Sequence, residues 1–465
     1  MAEFAPKLAV FKEVKVFPFD GSTEQDITGI VTKLEFTQSI SSSAWFGSMD
    51  VMDTTGLLEQ KNFKIRGEEK LTFEVHTYDG KMEDPLEINA RVISVTGLQI
   101  SENLTGVKFT LNFMSSISYS AGLRRIRDSY TDLKASEIAE RIFKKYYGNG
   151  RLVEDTSAPN ERIPFDTKKF RTTDLGSKGV RKPFYVQPTE GTMRVVMPNF
   201  PPSDAMRFLS ERSFSSTAPS CSYRFFETFT GFWYVTDEFL IQHGLENSQT
   251  IEEFAYNAQN SQEGDKPELQ VSTFRHFSNP SRVNTVSDLK SGGYKNKVIE
   301  IDLGRRRARN IDYDYRNDAN YIDMSGNKSS LKSDPHTEDF IEETFTDENA
   351  RRFLVYKDYY DDKGASLRSQ QYYPNIIQNR IAYQHHLGQT VVNATLNASR
   401  LDLRPGKIIK VRVPKITVEN RPDAPYNEQL SGNYLITSIS HQLVDDNMET
   451  NVTLAKYGWS GDYRE

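Results

Sequence analysis

The chain has 465 residues and a formal net charge of −6, with 37% hydrophobic and 12% aromatic residues. That length accommodates roughly three or four domains of ~100–150 residues, and the acidic balance argues against a general nucleic-acid-binding protein. A single cysteine, Cys221, excludes an intramolecular disulfide framework and fits assembly in a reducing compartment.

Aromatics must supply much of the core, since each buried Tyr or Phe removes ~150–250 Å² from water. The opening MAEFAPKLAVFKEVKVF has neither the basic start nor the apolar centre of a signal peptide. No run of ~18 apolar residues suggests a membrane span. The expectation is a soluble protein made in the cytoplasm.

Residues 1–118 read as β-rich. Ile30, Thr32, Leu34, Phe36 and Ile40 share one parity, against Lys33, Glu35 and Ser39 on the other. Leu71, Phe73 and Val75 repeat the alternation, as do Leu86, Ile88, Ala90 and Val92. The clearest case sets Val107, Phe109, Leu111 and Phe113 against Lys108, Thr110 and Asn112. One apolar and one polar face per strand is the pattern of a small antiparallel barrel or sandwich.

Over residues 119–270 the pattern changes to α/β. Ala135, Ile138, Ala139, Ile142, Phe143 and Tyr146 recur at helical spacing, with Thr131 as the expected N-cap and Gly148 as the stop. PPSDAMRFLSER predicts a second helix, with Ser203 as N-cap, Asp204 at its positive end, and Ala205, Phe208 and Leu209 as its buried stripe. Residues 223–227 and 232–235, joined by Thr228-Phe229-Thr230-Gly231, predict an aromatic β-hairpin.

VSTFRHF, from Val271, is strand-like and opens a second β-domain over 271–300 and 366–465. Between these parts, 301–365 is a highly charged insertion, readable either as a mobile loop or as an ordered contact arm. A helix is expected over 375–387. Four strands then fill 388–457. In one of them Ile409, Val411 and Val413 alternate with Lys410 and Arg412, after a Pro405-Gly406 turn of type II. Gly432 opens the next strand, Asp445-Asp446-Asn447 turns the chain, and Val452 and Leu454 share a face of the last.

No residue is assigned a catalytic, cofactor-binding or metal-ligating role. His385 and His386 are adjacent, hence ~100° apart on a helix rather than the i, i+4 pair that metals favour. His76, His243, His276, His336 and His441 show no ligand spacing, and Cys221 reads as a buried small hydrophobe. No G-x-S-x-G elbow or calcium loop is present. Acidic pairs (Glu68-Glu69, Glu252-Glu253, Glu342-Glu343, Asp361-Asp362) keep a cell-wall hydrolase open as a rival, because two carboxylates suffice for glycoside hydrolysis. A carbohydrate-binding β-protein is a third reading. The run Arg305-Arg306-Arg307-Ala308-Arg309 is either a contact with an acidic neighbour or passing DNA, or a solvated loop balanced by acids over 338–348.

The series LRPGKIIKV, GNYLITSISHQ and TNVTLAKYGW, with SMDVMDTTGLLEQKNFKIRGEEKLTFEV near the start, resembles the baseplate hub proteins of contractile-tailed, T-even-like phages, relatives of type VI secretion spike proteins. The resemblance implies an α+β, β-dominated fold: two small tail-tube-like barrels with an α/β middle domain between them. It implies a homotrimer presenting six barrels in a ring, partnered by the central spike, tail tube and neighbouring baseplate proteins, with DNA only in transit and no cofactor. The parity of the strands adds an expectation of its own. Lys108, Thr110 and Asn112, and likewise Lys410 and Arg412, should lie outside their barrel cores, some of them facing the passage.

Overall fold

The alternating stretches of the first 118 residues pair into antiparallel sheet. The computed structural model describes residues 5, 7–18, 24–54, 56, 65, 67–82, 85–100, 106–148, 152–154, 168–172, 182–216, 221–246, 251–256, 271–281, 292, 295–303, 306–314, 351–356, 380, 387, 390–396, 398–415, 426–427 and 430–456. Seven strands come first: β1 (Ala9–Phe17), β2 (Gln25–Asp26), β3 (Val31–Ser39), β4 (Phe46–Asp53), β5 (Lys70–Thr77), β6 (Leu86–Ile100) and β7 (Val107–Ser115). They lie in the order β2-β1-β5-β6-β7-β4-β3.

Leu34, Phe36, Leu71, Phe73, Val75, Ile88, Ala90, Val92, Phe109, Leu111 and Phe113 form one core with Trp45. Lys108, Thr110 and Asn112 take the other face, as their parity requires. One residue departs from its expected side. A bulge between Val31 and Lys33 resets the alternation, so Val31 faces the core and Thr32 is exposed.

The middle region holds α1 (Ser116–Gly122), β8 (Ser129–Lys134), α2 (Ala135–Ile142), β9 (Leu152–Glu154), β10 (Lys168–Thr172), β11 (Pro183–Val186), β12 (Thr192–Val196), α3 (Pro202–Ser210), β13 (Tyr223–Glu227), β14 (Phe232–Thr236) and α4 (Asp237–Glu246). The apolar stripe of α2 is buried as its spacing predicts. The helix runs on as a π-helical turn over Phe143–Tyr147, and the Gly148 N–H closes it on the Phe143 carbonyl at 3.0 Å.

Both expected N-caps are corrected. Thr131 lies in β8, paired with β12, and the helix starts only after Lys134, whose backbone N–H donates to the Glu137 carboxylate at 3.0 Å. Helix α3 is capped by Pro201 with Pro202 in its first turn, where no N–H is needed, so Ser203 is already inside. Its buried residues are Pro202, Ala205, Met206, Leu209 and Ser210, with Phe208 half-buried.

The second half contributes β15 (Glu253–Tyr256), β16 (Thr273–Ser281), β17 (Lys295–Asp302), β18 (Arg307–Asp314), β19 (Arg351–Tyr356), β20 (Thr390–Leu396), β21 (Ile408–Arg412), β22 (Gly432–Val444) and β23 (Asn447–Lys456). β17, β18 and β19 form a separate small sheet. Of the helix expected over 375–387, only Arg380 and Leu387 are described, both helical. Gly406 has φ +87°, as a type II turn needs, and Asp445 and Asp446 (φ 48° and 61°) turn β22 into β23.

Strands β21-β15-β16-β20-β23-β22 pair in a circle, because β22 also bonds β21, and so make a closed six-stranded barrel. Ile409, Val411, Val413, Val452 and Leu454 lie in its core, with Lys410 and Arg412 outside. The ring is not wholly antiparallel. β15 runs parallel to both β16 and β21, since it arrives from the middle region and a long connection precedes β16.

Setting aside two-residue β2, the two six-strand units have one connectivity. In β1, β3, β4, β5, β6, β7 and in β15, β16, β20, β21, β22, β23 alike, the spatial order is first, fourth, fifth, sixth, third, second. Two of their bulges also correspond. The second strand bulges at Thr32 in one and Arg275 in the other; the fifth bulges at Ile93 and at Thr437. Only the first strand differs in direction.

Candidate functional site

Chemistry is sparse. Among the described residues no three His, Cys, Asp or Glu side chains gather as a metal site, and no helix is long and apolar enough to cross a membrane. His76 Nε2 lies 3.1 Å from Glu74, and Cys221 is buried beside Phe214. Glu69 accepts the N–H groups of Gly67 and Glu68 at 2.9 and 3.0 Å, a turn-closing role. His336, His385, His386, Glu342, Glu343, Asp361 and Asp362 lie outside the described residues.

Arg306, Arg307 and Arg309 are exposed at the start of β18 and in the turn before it; Arg305 is outside the described residues. Opposite them on β17 stand acids, with Glu300 paired to Arg309 and Asp302 to Arg307 in register. Two of the run's arginines thus have an acid opposite them in their own hairpin.

What the fold does assemble is a junction built on the β13–β14 hairpin. Its tip puts Phe229 against the first barrel, edge-on to Phe36 and Trp45 with centroids 5.2 and 5.3 Å away, and the Phe229 N–H donates to Gln38 Oε1 at 2.8 Å. The flank of the same hairpin packs Phe226, Trp233 and Val235 with Ile40, Ile408, Leu435 and Ala455. One aromatic element thus wedges both barrels.

At its base, fully buried Glu227 accepts hydrogen bonds from Ser115 Oγ, Ser118 Oγ and Lys182 Nζ, each at 2.6 Å, and Lys182 also reaches the Thr228 carbonyl at 3.1 Å. Desolvating two ions costs several kcal/mol each, so this pair is tolerable only because all of these bonds are made. On the flank, Arg224 grips Asp237 bidentately at 2.6 and 2.8 Å.

A second ionic knot ties the barrels directly. The fully buried Arg400 donates to Asp402 at 2.8 and 2.9 Å, to Glu252 at 2.5 Å and to the Val271 carbonyl at 3.0 Å. Lys81, from the first barrel's β5–β6 turn, reaches Glu252 at 3.0 Å. Burial works to raise the Glu252 and Asp402 carboxyls, but hydrogen bonds and charge from Arg400 outweigh it and hold both below the usual range. Sequence reasoning missed Lys182, Glu227 and Arg400 as partners. Apart from the neighbouring Arg400 and Asp402, the residues that meet there are 45 or more positions apart, and no local pattern announces them.

The third feature is a face. From β6 through β7, β4, β3, β22, β23 and β20 to β16 the strands are joined edge to edge without a break. On the side away from both cores they present a ladder of Ser, Thr and Asn. Asn112 donates to Ser94 and Thr96 at 3.1 and 3.0 Å, Thr37 to Ser440 at 3.0 Å, Thr395 to Asn451 at 2.6 Å, and Thr453 to Asn393 at 3.2 Å. The charges on it include the opposite-sign pairs Lys33–Glu35 and Lys108–Asp50, at 3.1 and 3.9 Å.

No protein-family model matches the sequence, and no curated protein matches it. Solved structures do resemble the chain. A tail protein from Neisseria meningitidis MC58 covers 96% of this chain over 97% of its own length, at 9% identity and a TM-score of 0.49. The 43 kDa tail protein of prophage MuSo2 from Shewanella oneidensis covers 96% over 98%, at 10% identity and 0.47. An E. coli component of the type VI secretion system, described as structurally similar to the T4 bacteriophage tail proteins gp27 and gp5, covers 94% over 76%, at 11% identity and 0.38. Phage tail and type VI secretion proteins are thus the structures it is similar to, and the geometry above carries the functional reading.

Proposed function

We propose that the chain is a structural component of a phage tail, the baseplate hub that joins the tail tube to the central spike. It works by assembly: a homotrimer sets six like barrels around an axis, the tail tube docks on one side and the spike on the other, and neighbouring baseplate proteins flank it. The observation that carries this reading is the duplicated barrel with one uninterrupted outer sheet rich in hydroxyl and amide side chains, on which Lys33–Glu35 and Lys108–Asp50 are opposite-sign pairs and Phe46 and Met52 are among the exposed apolar side chains. Such a surface suits the wall of a passage for DNA. A wall dominated by apolar groups would bind or collapse, and a basic wall would hold phosphates.

In this reading there is no catalytic step, cofactor or metal, and DNA is a passenger. The chain divides into a first barrel (1–118), a middle domain (119–270) and a second barrel (271–300 and 366–465) with 301–365 inserted, except that Glu253–Tyr256 lends that barrel a strand and Lys295–Asp302 leaves it to pair with strands of the insertion. Its place is the virion tail, after assembly in the host cytoplasm.

Light scattering coupled to chromatography, alone and with tube and spike proteins, tests the reading. A mass of three chains with a three-fold ring in electron micrographs is expected. A chain that stays monomeric in all mixtures would overturn it.

A further inference from the structure

The two barrels of one chain are already joined by a seam of known geometry. The second strand of the first unit, β3, pairs antiparallel with the fifth strand of the second unit, β22, from Ser39↔Ser438 to Lys33↔Val444. Seven residues of each strand are used. β22 meets its own barrel's β21 only over its opening residues, Gly432 to Leu435, so its remaining length is free to bond a neighbour.

The same two half-strands recur, without described partners, at the opposite ends of the chain's sheet. β6 is the fifth strand of the first unit. It bonds β5 as far as Arg91, and among the described residues nothing pairs with 94–100 on that side. β16 is the second strand of the second unit. It bonds β15 only at Thr273 and Phe274, and nothing described pairs with 275–281 on that side. Each free segment is again seven residues long. Leu98 and Ile100 stand 59% and 60% exposed on the first, apolar area that lacks cover on an otherwise polar edge.

We infer that copies of this chain associate head to tail through an antiparallel β-seam, in which residues 96–100 of one copy pair with residues 277–281 of the next, the irregular pairs Gly97-Leu98 and Asn279-Pro280 falling opposite each other. The intrachain seam supplies the register. Through their shared pairing with the sixth strands, Ser94, Thr96 and Gln99 correspond to Ser438, Ser440 and Gln442, with Gly97 (φ +67°) and Leu98 standing where the second unit has His441 alone. Through the third strands, Ser278 corresponds to Glu35. Because Glu35 faces Gln442 within the chain, Ser278 faces Gln99 between chains. The contact joins two different surfaces, so it closes as a ring when its rotation divides the circle. It carries the hydroxyl and amide ladder across each subunit boundary and covers both half-strand edges. The inference rests on the ring-forming reading above and names the surfaces that make the ring.

The test is a Gln99→Cys/Ser278→Cys double variant treated with a short bis-maleimide. Cys221 is buried and serves as the unreactive background. Linked ladders ending at the ring's full chain number are expected from the double variant, and linked pairs, no further, from a mixture of the two single variants. Each single variant alone should stay unlinked. Linking within a single variant would mean a two-fold contact and overturn the seam. An unlinked double variant that still has the mass of a ring would sink the seam and leave the ring reading standing. A monomeric mass would sink both.

Discussion

The two barrels share one strand order yet close in different ways. The second closes on itself, each strand bonded on both sides at least in part. The first stays open between β1 and β3, and the β22–β23 hairpin reaches into that gap. Val444 bonds Lys33 in register on one side, while Ala9 N–H donates to the Asp446 carbonyl and Met448 N–H to the Lys7 carbonyl, at 3.0 and 2.9 Å, on the other. Leu443 and Met448 belong to the first barrel's core although their strands belong to the second. Sequence proximity is therefore a poor guide to which parts stand or fall together: residues 7–9 and 443–448 form one unit of stability. A sheet edge left open in one repeat is covered by the excess length of a strand in the other.

The severest way to break this asymmetry is to end the chain at Met448. That removes most of β23, leaving β20 and β22 with unpaired edges and the second ring open. The expected result is loss of the cooperative melting transition of the second barrel, with first-barrel amides losing hydrogen-exchange protection as well. A truncated chain with unchanged melting and exchange would contradict the shared closure.

Next is the buried pair at the hairpin base. Glu227→Gln removes one charge and strands Lys182, which should cost ~3–5 kcal/mol. Replacing both, as Glu227→Gln with Lys182→Met, should recover a large part of that loss. Denaturant unfolding of the three variants checks it; a double variant as weak as the single would show that the ionic bond matters less than the Ser115 and Ser118 contacts. Smaller and more local is Leu443→Ala, expected to cost ~2–5 kcal/mol in a site that cannot collapse. Its sharper readout is where the loss falls: protection should drop in β1, β3 and β5 more than in β15 and β16, though the strand that carries residue 443 belongs to the second barrel.

Much of the fold is legible in the residues themselves. Val107 to Phe113 and Ile409 to Val413 alternate with polar neighbours, and one side of each strand is buried, so period alone locates the face. The aromatic hairpin around Phe229 is equally plain. What period cannot show is pairing between distant strands. Thr37 meets Ser440 across four hundred positions of chain, and nothing local in either strand names the other. The bulges at Thr32 and Ile93 escape notice for a related reason: each flips the parity over one residue, which alternation reads as noise. The caps fail more simply. Thr131 has the right chemistry for a helix start, but it lies within β8, in the irregularity between the Tyr130–Val195 and Leu133–Met193 pairs, and the tertiary pairing of that strand with β12 overrides the local preference. Of the candidate site, the polar faces are visible in sequence, whereas their fusion into one ladder is not.

The smallest effect distinguishes the seam from the cores by pH. His441 is fully buried on β22 where the two barrels meet, its ring 5.1 Å from that of Phe36. Its Nδ1–H donates to Thr450 Oγ1 at 3.1 Å, because that hydroxyl spends its own proton on the carbonyls of Ala398 and Ser399, at 2.9 and 3.0 Å. Nε2 then has no hydrogen-bond partner among the described residues, and the ring is neutral. Burial pushes its pKa down to about 3, against a smaller opposing pull from Asp402. In the unfolded chain it titrates near ~6.5, so between about 6.5 and 3 the unfolded state binds a proton that the native state does not. Stability from this group is therefore complete above ~6.5 and falls by up to ~1.4 kcal/mol per pH unit below it. The Glu252 and Asp402 carboxyls, with lowered pKa values, begin to lose their contribution only below ~4, where unfolded carboxylates protonate. Unfolding measured at pH 7 and pH 5 should differ by about 2 kcal/mol through His441, and His441→Phe should flatten that interval while leaving the drop below pH 4. If the variant keeps the full slope between pH 7 and 5, the buried neutral imidazole is not what ties the barrel seam to pH.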